Sequence, residues 1–375
     1  MRILIYTFLH YHIYIFTHFH IFTFVFLVLA AACLIFLLVI SPAKTSPVVG
    51  LNGKILTNSV STIEKPIIGG IPQGMIIRGE NIGNPVLLYV HGGPGGPAYP
   101  LCGNDLKKLE KLFTICYWEQ RGSGLSYSKN ISVASMNLNQ LVEDAADCTR
   151  YLIKKFDKQK IFILGHSWGS LLGAFTIQKY PELFYAFLGV GQIGDTYLSE
   201  LESYEFVVNE ARIRNNKWAL KKLGKLKVPG REAGGRDWYD YFIKQRKYVF
   251  KYGGARYGEK RTYSEAIMAV FFCREYTIQD KLNYPAGLRF SQICLDSYML
   301  NDDPDKLVIE QKIPVYIFQG LHDHQTSYTV AKSYFDKLKA PIKKFYTFPY
   351  SAHSPHIEEY DAFEKIVKED ILSKG

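Results

Sequence analysis

The sequence predicts an α/β fold: a mostly parallel sheet with helices on both faces, an inserted helical cap, and an N-terminal transmembrane helix in front. Three observations carry this prediction. From about residue 85, short β-branched and aliphatic runs alternate with segments of helical period. Between about residues 191 and 305 the strand rhythm stops and helical patterns take over. Ahead of both, residues 1–41 carry Arg2 as their one formally charged side chain.

The N-terminal element rests on length. Residues 21–40 read IFTFVFLVLAAACLIFLLVI. At about 1.5 Å of rise per residue, twenty apolar residues match a hydrocarbon core of roughly 30 Å. Residues 4–20 mix aromatics with His10, His12, His18 and His20, a composition suited to a membrane interface. The competing reading is a cleaved secretory signal, with small residues at Ser41-Pro42-Ala43. The apolar run exceeds an ordinary signal core of about 7–15 residues, which favours a retained single-pass anchor with the bulk of the chain on the extracytoplasmic side. Cleavage and secretion is the alternative.

Strands are expected at 85–90, 113–118, 160–165, 184–190, 314–318 and 344–348, each a short apolar run of the kind buried in parallel sheets. Residues 136–156 carry a helical stripe, with Asn137 and Asn139 available as caps. Residues 51–83 suggest an antiparallel opening pair. The organisation is thus an anchor over 1–43, a first core part over 44–190, a cap over 191–305 and a second core part over 306–375.

Composition bounds the class. With 47% hydrophobic and 15% aromatic residues in 375, the chain is not disordered. Six irregularly spaced Cys exclude a disulfide framework, while a single bridge, for instance one involving Cys102 and Cys148, stays open. Residues 211–261 hold sixteen Lys and Arg against four acidic residues, a net +12 that exceeds the +10 of the whole chain. No nucleic-acid module accompanies this stretch, so a solvated helical surface or attraction to anionic headgroups is expected, and no nucleic-acid partner.

Four loops carry chemistry. Gly165-His166-Ser167-Trp168-Gly169 lies between a strand and a helix, the context that turns G-x-S-x-G into a nucleophile elbow presenting Ser167. His91-Gly92-Gly93-Pro94-Gly95-Gly96-Pro97 follows an earlier strand. There Gly93, or next Gly92, would offer a backbone N–H to an oxyanion, together with the N–H of Trp168. Asp323 and His353 follow the last two strands, so Ser167, Asp323 and His353 stand in the chain order of a Ser-Asp-His triad. His322, His324 and His356 are rivals without His353's placement directly after a strand. Neither a metal nor a cofactor is expected, since no His-x-x-x-His helix or Cys partner accompanies the histidines and no G-K-[ST] follows the glycines.

HGGPGGP at 91–97, WEQRGSGLS at 118–126, GHSWGS at 165–170, Gly191-Gln192, GLHD at 320–323 and AHSPHIEE at 352–359 together resemble the proline iminopeptidases, within the α/β-hydrolase fold. Two positions depart from that family's pattern: Glu119, where the family has Asp, and His166, where it has a second Gly. The resemblance implies release of an N-terminal residue, often proline, from short peptides, with acidic cap residues holding the free ammonium. Glu275, Glu200 and Glu205 are the candidates. The aromatics Tyr204, Phe206, Phe271, Phe272 and Tyr276 are cap core or pocket lining. An ester hydrolase with the same triad, and a non-catalytic binding protein on this fold, are the alternatives.

Overall fold

The structure, a computed structural model, describes residues 2–50, 52–258, 263–300 and 309–374. The strands are β1 (Val60–Glu64), β2 (Ile67–Ile68), β3 (Ile71–Pro72), β4 (Met75–Gly79), β5 (Val86–Val90), β6 (Thr114–Trp118), β7 (Ile161–His166), β8 (Phe184–Val190), β9 (Val315–Gly320) and β10 (Lys343–Phe348). Eight of them form one sheet in the order β1-β4-β6-β5-β7-β8-β9-β10. The β1/β4 and β4/β6 pairs are antiparallel and all later pairs are parallel. The expected antiparallel opening is therefore β1 with β4, and β2 with β3 forms a separate small ribbon.

Alternation along the strands explains the continuous apolar runs. In β5, Val86, Leu88 and Val90 enter the core on one face, while Leu87 and Tyr89 enter the core on the other. Both faces are covered, so no position is free to be polar. Helices supply the cover. Helix α1 (Arg2–Val39) precedes the sheet, α2 (Ala98–Leu106) follows β5, α3 (Leu138–Phe156) follows β6 and α4 (Trp168–Lys179) follows β7. Helix α3 starts two residues later than expected because the side chain of Asn137 caps it, accepting the Gln140 N–H.

Between β8 and β9 the described chain is helical: α5 (Thr196–Ile213), α6 (Lys217–Leu223), α7 (Gly235–Lys251), α8 (Tyr263–Phe271) and α9 (Ile278–Leu300). This insertion has small cores of its own, one around Val207, Leu223 and Val249 and one around Trp238 and Phe242. Its expected end at 305 lies outside the described residues, as do Glu259, Lys260 and Arg261 of the basic stretch. Within that stretch Arg214, Arg231, Arg246 and Arg256 pair with Glu210, Asp195, Glu200 and Asp105. Part of the local positive charge is thus neutralised inside the fold. The chain closes with α10 (Tyr328–Lys337), α11 (Pro355–Glu358) and α12 (Tyr360–Ile366).

Within α1, residues Phe16–Val39 form a 24-residue stretch long and apolar enough to cross a membrane, and none of its window is buried against the rest of the chain. It begins five residues before the expected span, because the aromatic stretch continues the same helix. The chain then docks at once: Lys281 Nζ donates to the Ile40 carbonyl and the Ser41 hydroxyl, each at 2.8 Å. Arg78 Nη1 reaches the Ser46 carbonyl at 2.6 Å. The six cysteines are unbridged, and Cys148 lies against Cys116 in the core.

Candidate active site

The sheet order places the site. After β5 the chain pairs β6 on one side, and β7 then returns to the other side of β5. The C-terminal ends of β5 and β7 therefore flank a topological switch point, where open α/β sheets leave a crevice. Ser167 stands at the end of β7 with φ 56° and ψ −124°, a sparsely populated conformation for a residue with a Cβ, and α4 begins at the next residue. Only small neighbours permit this turn. A Cβ on Gly165 would lie 2.2 Å from the Gly169 carbonyl oxygen, and one on Gly169 would lie 2.0 Å from that of Val90. The Ser167 N–H is held by the Val190 carbonyl at 2.9 Å.

The loop after β5 passes directly over this serine. An ideal Cβ on Gly92 would be 2.9 Å from Ser167 Cβ, and Gly93 follows with φ 120°. Trp168 is the first residue of α4, so its N–H has no intrahelical acceptor. Gln120 ties the two loops together. Its amide donates to the His91 carbonyl at 2.8 Å, and its side-chain oxygen accepts from Trp168 Nε1 at 3.0 Å. Burial lowers His91 to about 4, against a hydrogen bond to the Gly92 carbonyl, so this imidazole is neutral.

At the ends of β9 and β10, His353 Nδ1 and Asp323 Oδ2 are 2.9 Å apart, both residues buried. Asp323 Oδ1 accepts the N–H groups of Gln325 and Thr326, and Oδ2 accepts the Gln319 amide and the Thr326 hydroxyl. Burial works against ionisation of Asp323, but the facing His353 and these hydrogen bonds outweigh it and hold the carboxyl below its usual range. The His353 loop is clamped from below. Glu358 accepts the N–H groups of Ala352 and Ser354 on either side of His353, and Glu359 accepts the Tyr350 N–H and the Ser351 O–H.

Ser167, His353, Gly92, Gly93 and Ala269 line a common cavity of about 410 Å³. No hydrogen bond joins Ser167 Oγ to His353, although both line that cavity, and such contacts often tighten only with substrate bound. Of the three candidate carboxylates only Glu200 lines it, and Glu200 arrives paired with Arg246, which donates from both guanidinium nitrogens. Glu275 lines a neighbouring cavity, where it accepts from Tyr99 O–H at 3.0 Å, and Glu205 lies exposed on α5. The rival histidines scatter: His324 stacks on Phe206, His322 stacks on Tyr257, and His356 bonds Tyr89 O–H. Among the described residues no three His, Cys, Asp or Glu side chains converge as metal ligands.

Several residues were given no supporting role from sequence. Gln319 and Thr326 orient Asp323. His166 contacts the His353 carbonyl at 3.0 Å through Nε2, and burial together with the neighbouring His353 lowers it to about 3, keeping it neutral. Glu358 and Glu359 were visible as the end of AHSPHIEE, but nothing in that string says which backbone groups they hold.

The α/β-hydrolase fold family matches residues 85–360, from the start of β5 to α12, and so spans every loop described above. The chain belongs to the α/β-hydrolase fold family. This hydrolase is 33% identical over 310 residues to a Bacillus subtilis (strain 168) protein named "Probable aminopeptidase YbaC", covering 81% of this chain and 94% of that one. Over 95 residues, 25% of this chain and 31% of the relative, it is 35% identical to the proline iminopeptidase of Heyndrickxia coagulans. Two solved structures share its fold with a TM-score of 0.59: a proline iminopeptidase-related protein from Thermus thermophilus, at 19% identity, and the proline iminopeptidase of Mycobacterium smegmatis, at 16%. Each covers 84% of this hydrolase and 98% of the other chain. The resemblance read from the sequence motifs is matched by these relatives.

Proposed function

We propose that this hydrolase is a serine hydrolase of aminopeptidase type, releasing an N-terminal residue, proline or a small apolar one, from short peptides. One observation carries the reading: Ser167, on its strained turn, and His353, hydrogen-bonded to buried Asp323 at 2.9 Å, line the same cavity. Ser167 Oγ attacks the carbonyl carbon, and His353 takes its proton and passes it to the leaving nitrogen. Asp323 holds the tautomer and stabilises the imidazolium. The N–H groups of Trp168 and Gly93, with Gly92 as the second choice in the loop, meet the oxyanion; one such donor is worth about 2.7–4 kcal/mol at the transition state. Water then opens the acyl-enzyme by the same steps reversed. The aminopeptidase name of the 33% identical relative supports a peptide substrate.

The test compares the full-length protein with Ser167→Ala on prolyl and alanyl arylamides. Turnover and labelling by a serine-directed phosphonate are expected in the first and lost in the second. Full activity in Ser167→Ala overturns the assignment.

An ester hydrolase with the same triad is the second reading. It is favoured by the state of Glu200, already neutralised by Arg246, and by the removal of Glu275 to the neighbouring cavity. Neither of these two offers the cavity an unpaired carboxylate, and Glu265 of α8 lines it as well. Faster turnover of aryl esters than of aminoacyl arylamides selects this reading.

The chain is organised as one hydrolase unit, 44–190 and 306–375, with the cap 191–305 inserted, and is held by a single-pass anchor with its body outside the cytoplasm. The buried Ser41 and the bonds from Lys281 integrate the residues after the span into the folded body, which supports retention over cleavage. Carbonate extraction and N-terminal sequencing of the mature protein decide between them.

A further inference from the structure

We infer that the exposed apolar face of α8 rests on the same phospholipid bilayer that holds α1, so that one helix separates the lipid from the cavity at Ser167. The inference rests on the anchor reading above. Its first support is a distance constraint. The spanning stretch ends at Val39, and Lys281 Nζ bonds the very next carbonyl, that of Ile40, and the Ser41 hydroxyl, both at 2.8 Å. One residue of chain covers at most about 3.6 Å. Lys281, at the start of α9, is therefore fixed at the level where the membrane span ends.

The surface around Lys281 is apolar. Its ammonium lies 5.9 Å from the Phe271 ring, which meets Phe272 edge-on at 5.2 Å. Phe272 follows Met268 by one helical turn, its N–H bonded to the Met268 carbonyl at 2.9 Å. Ile267 is 67% exposed, Met268 48% and Phe272 48%. Single exposed apolar side chains are ordinary, but a group of them on one short helix calls for a partner. Exposed basic residues flank the group: Arg274, whose carbonyl accepts the Lys44 N–H at 3.3 Å, and Lys44 itself. Apolar and aromatic side chains beside Lys and Arg form the pattern of a membrane interface, acyl chains meeting the former and phosphates the latter.

Glu265 and Ala266 are exposed as well, while other parts of α8 meet the cavity and the core. Ala266 and Ala269 line the Ser167 cavity, and Val270 packs into the core under the sheet. Ala269 also lines the adjoining cavity of about 390 Å³, together with Phe272 and with Ser46 of the segment that follows the anchor. The helix, with Phe272 one residue past its end, thus carries a bilayer-facing side and a cavity-facing side.

The test places the full-length protein in phosphatidylcholine vesicles made with or without brominated acyl chains. Tryptophan is introduced at the α8 face (Ile267→Trp, and Phe272→Trp as the milder second variant). Tyr185→Trp is the control, at the start of β8 and so at the opposite end of the sheet from the cavity. Arylamide or aryl ester turnover and the circular dichroism spectrum report folding of each variant. The expected result is that brominated lipid removes at least half of the emission added at 267 or 272 and leaves that added at 185 unchanged. If the protein resists carbonate extraction and neither α8 position is quenched, the bilayer contact is overturned while the anchor stands. Equal quenching at 185 and on α8 also overturns it. Release by carbonate overturns the anchor reading and this inference with it.

Discussion

Asp323 and His353 stand thirty residues apart in the chain, yet His353 Nδ1 and Asp323 Oδ2 lie 2.9 Å apart. An ionised carboxylate only accepts hydrogen bonds, so Nδ1 carries the proton and Nε2 is left basic. Asp323→Asn removes that preference, because its amide donates and selects the other tautomer. The expected loss in turnover is on the order of ten-thousand-fold with the fold retained. Steady-state kinetics on the preferred substrate, alongside thermal melting, checks it.

Gly191 packs against the same imidazole. Its φ is 55°, and a Cβ there would lie 3.0 Å from His353 Nδ1, Cε1 and O. Gly191→Ala therefore pushes His353 out of place as well as straining the backbone. A displacement of this kind costs roughly a hundredfold in kcat. KM is expected to change little, and a kcat that stays at the wild-type level counts against the arrangement.

Glu119 is a buried acid with no cation at ion-pair distance among the described residues. Burial pushes it up to about 8 from an ordinary 4.5, although the Leu125 N–H and the Tyr276 O–H donate to it. The folded state therefore holds a proton that the unfolded chain releases. The stabilising contribution is complete below pH 4.5 and is lost as pH rises through about 8. Melting temperature is expected to fall across that window in the wild type and to be flatter in Glu119→Gln. Parallel slopes in melting curves from pH 5 to 9 would dismiss the effect.

Arg121 and Asp144 form a buried pair, with Arg121 Nε and Nη2 on the two carboxylate oxygens at 2.7 and 2.9 Å. Arg121 also holds the Gly69 carbonyl at 2.7 Å. Arg121→Ala leaves a buried carboxylate without its cation, an expected cost of about 3–5 kcal/mol. Urea unfolding reads it, and adding Asp144→Leu is expected to recover part of the loss, since replacing both charges removes the uncompensated one.

The parts legible in the sequence are those written in consecutive residues. The strand before and the helix after Gly165–Gly169 spell out the turn at Ser167, because its requirement for glycine is local and steric. Strands β5 to β10 were legible for a similar reason, since burial on both faces leaves an uninterrupted apolar run. Helix α9 was legible only as part of a helical insertion, without bounds of its own, and Pro285 lies inside it. Helix α7, which starts at the Gly234-Gly235 pair, was legible only as an unbounded part of that insertion.

The carboxylates of the insertion mark the limit. Glu200, Glu205 and Glu275 look alike as acids in a predicted cap, and only tertiary structure separates them: Glu200 on the cavity wall with Arg246 from 46 residues away, Glu275 under Tyr99, Glu205 facing solvent. The sequence by itself determined the fold class, the order Ser167, Asp323, His353 and a helix long enough to span a membrane. Each follows from local sterics, from burial on both faces of a sheet, or from the length of an apolar run. The tertiary structure decided which charges are already neutralised, what holds His353 in place, and that the end of the apolar N-terminal helix docks on Lys281. Those depend on partners brought together from distant parts of the chain, and no local pattern encodes such a meeting.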